Sequence, residues 1–200
     1  TAHLGKWHID EDPSRYGYDL HDGITKNKPG GFTQGNHKRQ WTGYAEEDPK
    51  RMESLTNRAI EFLRDSVTQE RPFFLQLSHY AVHSDIVFSD KSFDTTSTWL
   101  KGSLHSNASY AAMLKDLDDS IGVFLQSFKH LDLSRNTYIF FTSDNGGMPI
   151  LPQKTNLGMP YKSGLNSPLL RGKWDLTEGG IRVPFAVIGP GVEKNSQVDT

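Results

Sequence analysis

Two stretches of helical hydrophobic spacing, each running into a short apolar segment, constrain the fold more than any other feature of this chain. Between Glu46 and Val67 the apolar residues Met52, Leu55, Ala59, Phe62, Leu63 and Val67 recur at the spacing of one helical face. Arg71 and Pro72 close that pattern, and PFFLQLS follows as a short buried strand. The second stripe runs through Tyr110, Leu114, Leu117, Ile121, Phe124 and Phe128, with Asn107 or Ser109 placed to cap its first turn. It turns through LDLSRN into a strand over Tyr138 to Thr142, expected to be buried. Helix, strand, helix, strand at these intervals predicts an α/β fold, a mostly parallel central sheet flanked by helices. PFAVIGPG supplies a last strand. Asp10 to Tyr44 and Ser84 to Ser106 carry no sustained period and read as irregular loops, which at such lengths are usually functional.

Composition narrows the function classes. A net charge of −2 gives no basic excess for nucleic acid, and no uninterrupted apolar run is long enough to cross a membrane. The absence of cysteine excludes disulfides, thiolate zinc sites and a cysteine nucleophile within these 200 residues. The chain opens on TAHLGKWH without an initiator Met and stops just after a strand segment, so the expectation is a piece of a larger domain. The triplet Asn107-Ala108-Ser109 has the glycosylation pattern, which arises far more often by chance than by function.

Four short groups carry chemistry, each at or just beyond an expected strand end. Gly5-Lys6-Trp7-His8 combines a compact cation with a group that exchanges protons near neutral pH. His83 follows the PFFLQLS strand, with His79 a weaker candidate before it; a lone histidine there is most often structural. Asp144-Asn145 within TSDNGG admits two readings. Asn-Gly between apolar residues signals a hairpin turn, although Pro149 and Pro152 would interrupt a return strand. Alternatively, an Asp carboxylate and an Asn carbonyl at a strand's carboxyl end are hard oxygen donors for Ca²⁺ or Mg²⁺. The last group, LLRGKWDLTEGGIRVPF, crowds Arg171 and Lys173 into one loop, where the plain reading is solvated charge. Glu178, beside Gly179-Gly180, reads as loop support. Together these groups could bind a tetrahedral oxyanion and protonate a leaving oxygen, the chemistry of sulfate or phosphate ester hydrolysis.

In order along the chain, GKWH, PFFL followed by a histidine, YAAMLKDLDDSIG, FTSDNGG, and LRGK followed by EGGIRVP resemble the motifs of the sulfatase family, of the alkaline phosphatase-like superfamily. The resemblance implies Asp144 and Asn145 as two calcium ligands, which favours metal over hairpin. It implies that Lys6 and His8 contact the nucleophile and help expel sulfate from it, that His83 binds the sulfate ester, and that Lys173 touches sulfate and the leaving oxygen. By this chemistry a formylglycine hydrate attacks sulfur, His83 and Lys173 assist departure of the alcohol, and His8 helps the hydrate return to the aldehyde.

The departures from the family pattern are specific. Cys/Ser-x-Pro-x-Arg, the source of formylglycine, does not occur in these residues. Glu11-Asp12-Pro13-Ser14-Arg15 imitates its end but has Glu at the nucleophile position and lies after GKWH. The paired N-terminal aspartates of the calcium site are missing, and LRGKWD has one glycine fewer than LRGGK. The expectation is therefore the central part of a single sulfatase catalytic domain, residues 1–200, with formylglycine made upstream, a further subdomain downstream, and no activity as an isolated piece. The expected substrate is a sulfate ester, with a lean towards sulfated carbohydrate, in a periplasmic, secreted or lysosome-like setting. The loops 10–44, 84–106 and 148–168 are expected to shape its pocket. A phosphomonoester or phosphonate hydrolase and an inactive module that binds sulfated glycans are the competing readings; oligomeric state is not legible.

Overall fold

A computed structural model of the chain describes residues 1–33, 42–102, 106–148 and 166–197. The chain forms two compact units, Thr1–Leu131 and Asp132–Thr200.

The first unit is built on a three-stranded parallel sheet. Strand β1 (Ala2–Gly5) lies at its centre, between β2 (Leu20–His21) and β4 (Leu75–Ser78). Register runs Ala2 to Leu75 through Gly5 to Ser78, so β1 and β4 end side by side at their carboxyl ends. Every residue of β1 is buried, whereas β4 is half-buried with Gln76 exposed, a shorter and wetter strand than PFFLQLS predicts. A second parallel pair joins β3 (Tyr44–Ala45) to β5 (Val87–Phe88).

Helix α1 (Met52–Thr68) covers the sheet and packs on a longer helix, α3 (Ala108–His130). It starts later than Glu46 because the Asp48 carboxylate accepts from the backbone N–H groups of Glu53 and Ser54, satisfying donors that the first turn leaves open. Its buried face is Met52, Leu55, Thr56, Ala59, Ile60 and Leu63. Leu4, Leu55, Ala59 and Tyr80 form one core cluster with Leu75, Leu77 and Phe124 against it. A second cluster, Ile86, Phe88, Ala112 and Met113, is closed by Phe93 and Tyr110. On α3 the Asn107 side chain caps the first turn, as expected, but Ala112, Met113 and Phe128 are the buried residues while Leu114 is exposed.

Two of the loops are more regular than their sequences predict. Within 84–106 lie β5 and a short helix, α2 (Asp90–Ser97). Ser89 caps α2, and Asp116 on α3 accepts from the Ser89 backbone and from the hydroxyls of Ser89 and Ser92. Polar capping rather than apolar periodicity defines this helix, which is why spacing alone misses it. Within 10–44 the chain makes 3₁₀ turns at Pro13–Tyr16 and Lys28–Gly30 as well as β2. The EDPSR segment is the first of these turns, with Asp12 accepting from the Ser14 N–H.

In the second unit β6 (Ile139–Thr142) pairs antiparallel with β7 (Phe185–Ile188), and a single helical turn, α4 (Glu178–Ile181), precedes β7. The expectation of a buried strand at Tyr138–Thr142 is corrected here. Phe140 and Phe185 are each 66% exposed, because among the described residues of this unit β6 pairs with β7 alone. Among the described residues, no helix is long and apolar enough to cross a membrane.

Candidate active site

Lys6 and His8 leave the carboxyl end of β1 on a tightly tied backbone. Gly5 has φ +96°, and its N–H donates to Asp22, whose other carboxylate oxygen accepts from Arg58. The Lys6 N–H donates to the carbonyl of Ser78 at the end of β4. Thr25 then binds the next two residues: its hydroxyl accepts from the Trp7 N–H at 2.9 Å, and its carbonyl accepts from the His8 N–H at 2.7 Å. His8 sits at φ 62°, a conformation non-glycine residues rarely adopt, so its outward aim is imposed by these bonds. Lys6 is half-buried and His8 exposed.

His83 lies five residues beyond β4, half-buried, with Nδ1 2.9 Å from the Ser84 carbonyl and its ring edge-on to Phe32 at 5.6 Å between centroids. Adjacent parallel strands thus deliver Lys6, His8 and His83 to loops at the same edge of the sheet, where open α/β sheets hold their ligands. His79 is different. Burial pushes its pKa down to about 4, and its Nδ1 has no hydrogen-bond partner among the described residues, so it is a neutral structural histidine.

That burial has a sign. The folded form resists protonating His79 while the unfolded chain takes a proton near its ordinary value of 6.5. Stability from this group is therefore fully present above pH 6.5 and lost as pH falls towards 4, by up to about 3 kcal/mol. Chemical denaturation between pH 4 and 7 should show this loss, and His79→Gln should flatten it; an unchanged slope would assign the acid sensitivity elsewhere.

In the second unit two motif loops are bonded to each other. The Lys173 N–H donates to the Gly147 carbonyl at 2.9 Å, and the Gly146 N–H donates to the Gly180 carbonyl at 2.9 Å. The Asn166 amide bridges them, donating to the carbonyls of Gly147 and Arg171. Close approach explains the glycines: a Cβ on Gly146 would stand 1.8 Å from the Gly179 carbonyl oxygen. Asp144, Asn145 and Lys173 thereby share one braced loop pair, with Asp144 exposed and the other two half-buried. Glu178 is exposed and 3.5 Å from Arg182, while Gly179 and Gly180 are buried, the supporting arrangement expected of that segment. Arg171 pairs with Asp175 at 2.6 Å, which raises the guanidinium pKa and lowers that of the carboxyl. Pro149, Pro152 and most of the 148–168 loop lie outside the described residues.

Asn145 donates its amide nitrogen to the Gly146 carbonyl at 2.9 Å, which leaves its side-chain oxygen as an acceptor. Two hard oxygens suit part of a calcium shell, which takes six to eight. Among the described residues, no group of three or more His, Cys, Asp or Glu side chains converges as a metal cage.

The family model for sulfatases matches residues 1–200. The chain belongs to the sulfatase family. N-acetylgalactosamine-6-sulfatase of Rattus norvegicus is 31% identical over 208 residues, a match covering 94% of this sulfatase-family chain and 37% of the relative. Steryl-sulfatase of Homo sapiens is 32% identical over 143 residues, covering 72% and 22% respectively. The chain thus spans well under half the length of these relatives. The crystal structure of Ps i-CgsB superposes with a TM-score of 0.69 at 25% identity, covering 96% of this chain and 45% of the other. A protein in the alkaline phosphatase superfamily from Vibrio parahaemolyticus shares the fold, with a TM-score of 0.52 at 14% identity, covering 96% and 38%. The alkaline phosphatase-like α/β fold expected from the sequence is borne out.

Sequence reasoning missed Thr25, Asp22 and Asn166, which hold the motif loops. Each is a lone polar residue in a segment without periodicity, and nothing local marks it.

Proposed function

We propose that the protein containing this chain hydrolyses sulfate esters, and that residues 1–200 form the central part of its catalytic domain. The observation that supports the reading is the bonded loop pair, Lys173 N–H to Gly147 and Gly146 N–H to Gly180, which joins the loop carrying Lys173 to the loop carrying Asp144 and Asn145. A formylglycine made upstream would supply the nucleophile, and a bound calcium would neutralise the sulfate oxygens. Asp144 and Asn145 would hold the calcium through their carboxylate and amide oxygens. The Gly146 bond to Gly180 favours this role over a hairpin, whose turn would pair with the residues immediately after it.

The chain's own side chains have the following tasks. Lys6 and Lys173 hold sulfate oxygens as point charges. His83 donates to the ester oxygen as the sulfur–oxygen bond breaks, so that the alcohol leaves neutral. His8, exposed beside Lys6, moves the proton that accompanies release of sulfate. The carbohydrate lean draws support from the rat relative's name, which specifies N-acetylgalactosamine 6-sulfate, and from the edge-on contacts of Trp7 with Tyr16 and Tyr18 of the first long loop. A periplasmic, secreted or lysosome-like setting fits the same reading.

The decisive experiment presents sulfate and phosphate monoesters of one alcohol to the full-length protein with calcium. Expected is turnover of the sulfate ester at least tenfold faster in kcat/KM. Preference for phosphate would move the protein to the phosphomonoesterase branch of the superfamily. Binding of sulfated glycans without turnover would make it an inactive module. The isolated 200 residues, which contain no formylglycine precursor motif, should turn over neither ester.

A further inference from the structure

Two charged side chains that the reaction does not use are among the most buried in the first unit. Lys50 is 2% exposed and Asp85 fully buried. An unpaired buried charge is costly, so both require an explanation. Lys50 sits at φ 55° in the 3₁₀ turn before α1, a turn that packs against β5 and against the turn at Lys28–Gly30. Desolvation lowers the Lys50 pKa to about 8, while Asp85 and Glu46 favour its charge and Lys6 opposes it. Among the described residues, Asp85 accepts a hydrogen bond at Oδ2 from the Thr33 hydroxyl. Its Oδ1 is buried and has no hydrogen-bond partner among the described residues.

The location gives this arrangement its meaning. Asp85 is two residues after His83, and Thr33 directly follows Phe32, whose ring meets that of His83 edge-on. The Thr33–Asp85 bond therefore ties together the two segments whose rings touch. His83 itself is fixed from the other side by the contact of Nδ1 with the Ser84 carbonyl, which belongs to the residue between His83 and Asp85. We propose that Asp85 is a positioning residue for His83: its carboxylate latches Thr33 and so holds Phe32 against the imidazole, with Lys50 as its buried counter-charge. A neutral residue at 85 would make a weaker acceptor for the hydroxyl, because charge-assisted hydrogen bonds are about twice as strong as neutral ones. Lys50 contributes by long-range attraction, which in a dry interior is screened far less than at the surface.

This inference rests on the reading of His83 as an ester-binding group, and its test separates the two. In the full-length protein, Thr33→Val removes the latch hydroxyl with little change in volume, Thr33→Ser retains it, and Asp85→Asn keeps the shape while dropping the charge. The first readout is the ring ¹H–¹³C resonance of His83, assigned by His83→Gln. Thr33→Val and Asp85→Asn should shift and broaden it, and Thr33→Ser should restore it. The second is kinetic: Thr33→Val should lower kcat on a sulfate ester about tenfold with KM changed less than threefold, and Thr33→Ser should recover most of the loss. If the variants lose thermal stability while the His83 resonance and kcat per folded molecule stay at wild-type values, the pair is purely structural and the proposal is overturned. If the resonance shifts as expected but no variant, nor the wild type, hydrolyses the ester, the latch stands and the ester-hydrolase reading fails.

Discussion

Asp144→Ala in the full-length protein is expected to lower kcat/KM for a sulfate ester by about 10³-fold, while leaving the melting temperature nearly unchanged. Electrostatic stabilisation of developing charge usually contributes most to catalysis in reactions of this class, and loss of one preorganised group costs about 10²–10³-fold. On the proposed reading Asp144 would be a hard carboxylate on calcium, contributing to both metal affinity and charge neutralisation, which sets the expected loss at the upper end. Its side chain is exposed, so truncation removes little packing, and surface changes of that kind usually stay within about 0.5 kcal/mol. Asp144→Asn retains an oxygen without the charge and should fall between the two. Calorimetric titration with calcium would report the same order of affinities, wild type above Asn above Ala. Activity of Asp144→Ala within tenfold of wild type, at saturating and at limiting calcium alike, would remove this residue from the metal site.

Gly5→Ala should strongly destabilise the first unit, by about 3–5 kcal/mol. Two independent penalties act there. The backbone at φ +96° is outside the range an alanine adopts comfortably, and a Cβ would stand 2.1 Å from the Ser78 carbonyl oxygen. That oxygen accepts the Lys6 N–H, so relieving the clash means opening the seam between β1 and β4 that aims Lys6. Gly17→Ala serves as the control: φ is +87° but nothing lies within 4 Å of its added Cβ, and the cost should stay near about 1 kcal/mol. Urea denaturation of both variants reads the difference directly. Equal losses would mean that dihedral strain alone matters at Gly5 and that the sheet seam gives way easily.

The helices were legible because packing one apolar face on a sheet imposes a 3.6-residue period that survives in the sequence, as in Met52, Leu55, Ala59 and Leu63. Capping was legible only where the cap touches its own helix: Asn107 stands next to the helix it caps, whereas Asp48 acts across an intervening 3₁₀ turn and left no local mark. The motif residues were legible as chemistry, since Lys6, His8, His83, Asp144, Asn145 and Lys173 are residue types that can handle an oxyanion and a metal, in segments expected near strand ends. Their assignment to sulfate came from the family's motif order, which the match across residues 1–200 supports.

What the sequence alone determined is the alternation of elements and the residue types available at strand ends, because both follow from local period and side-chain chemistry. The tertiary structure decided the rest. That β7 runs antiparallel to β6, and that Phe140 stays exposed, depends on which layers meet, and an apolar strand looks the same from within whether or not it is covered. That Lys50 and Asp85 are buried near each other is equally invisible, since 35 residues separate them and each, read alone, belongs on a solvated surface. Burial and long-range pairing are properties of contacts between distant segments, and only the folded chain brings those segments together.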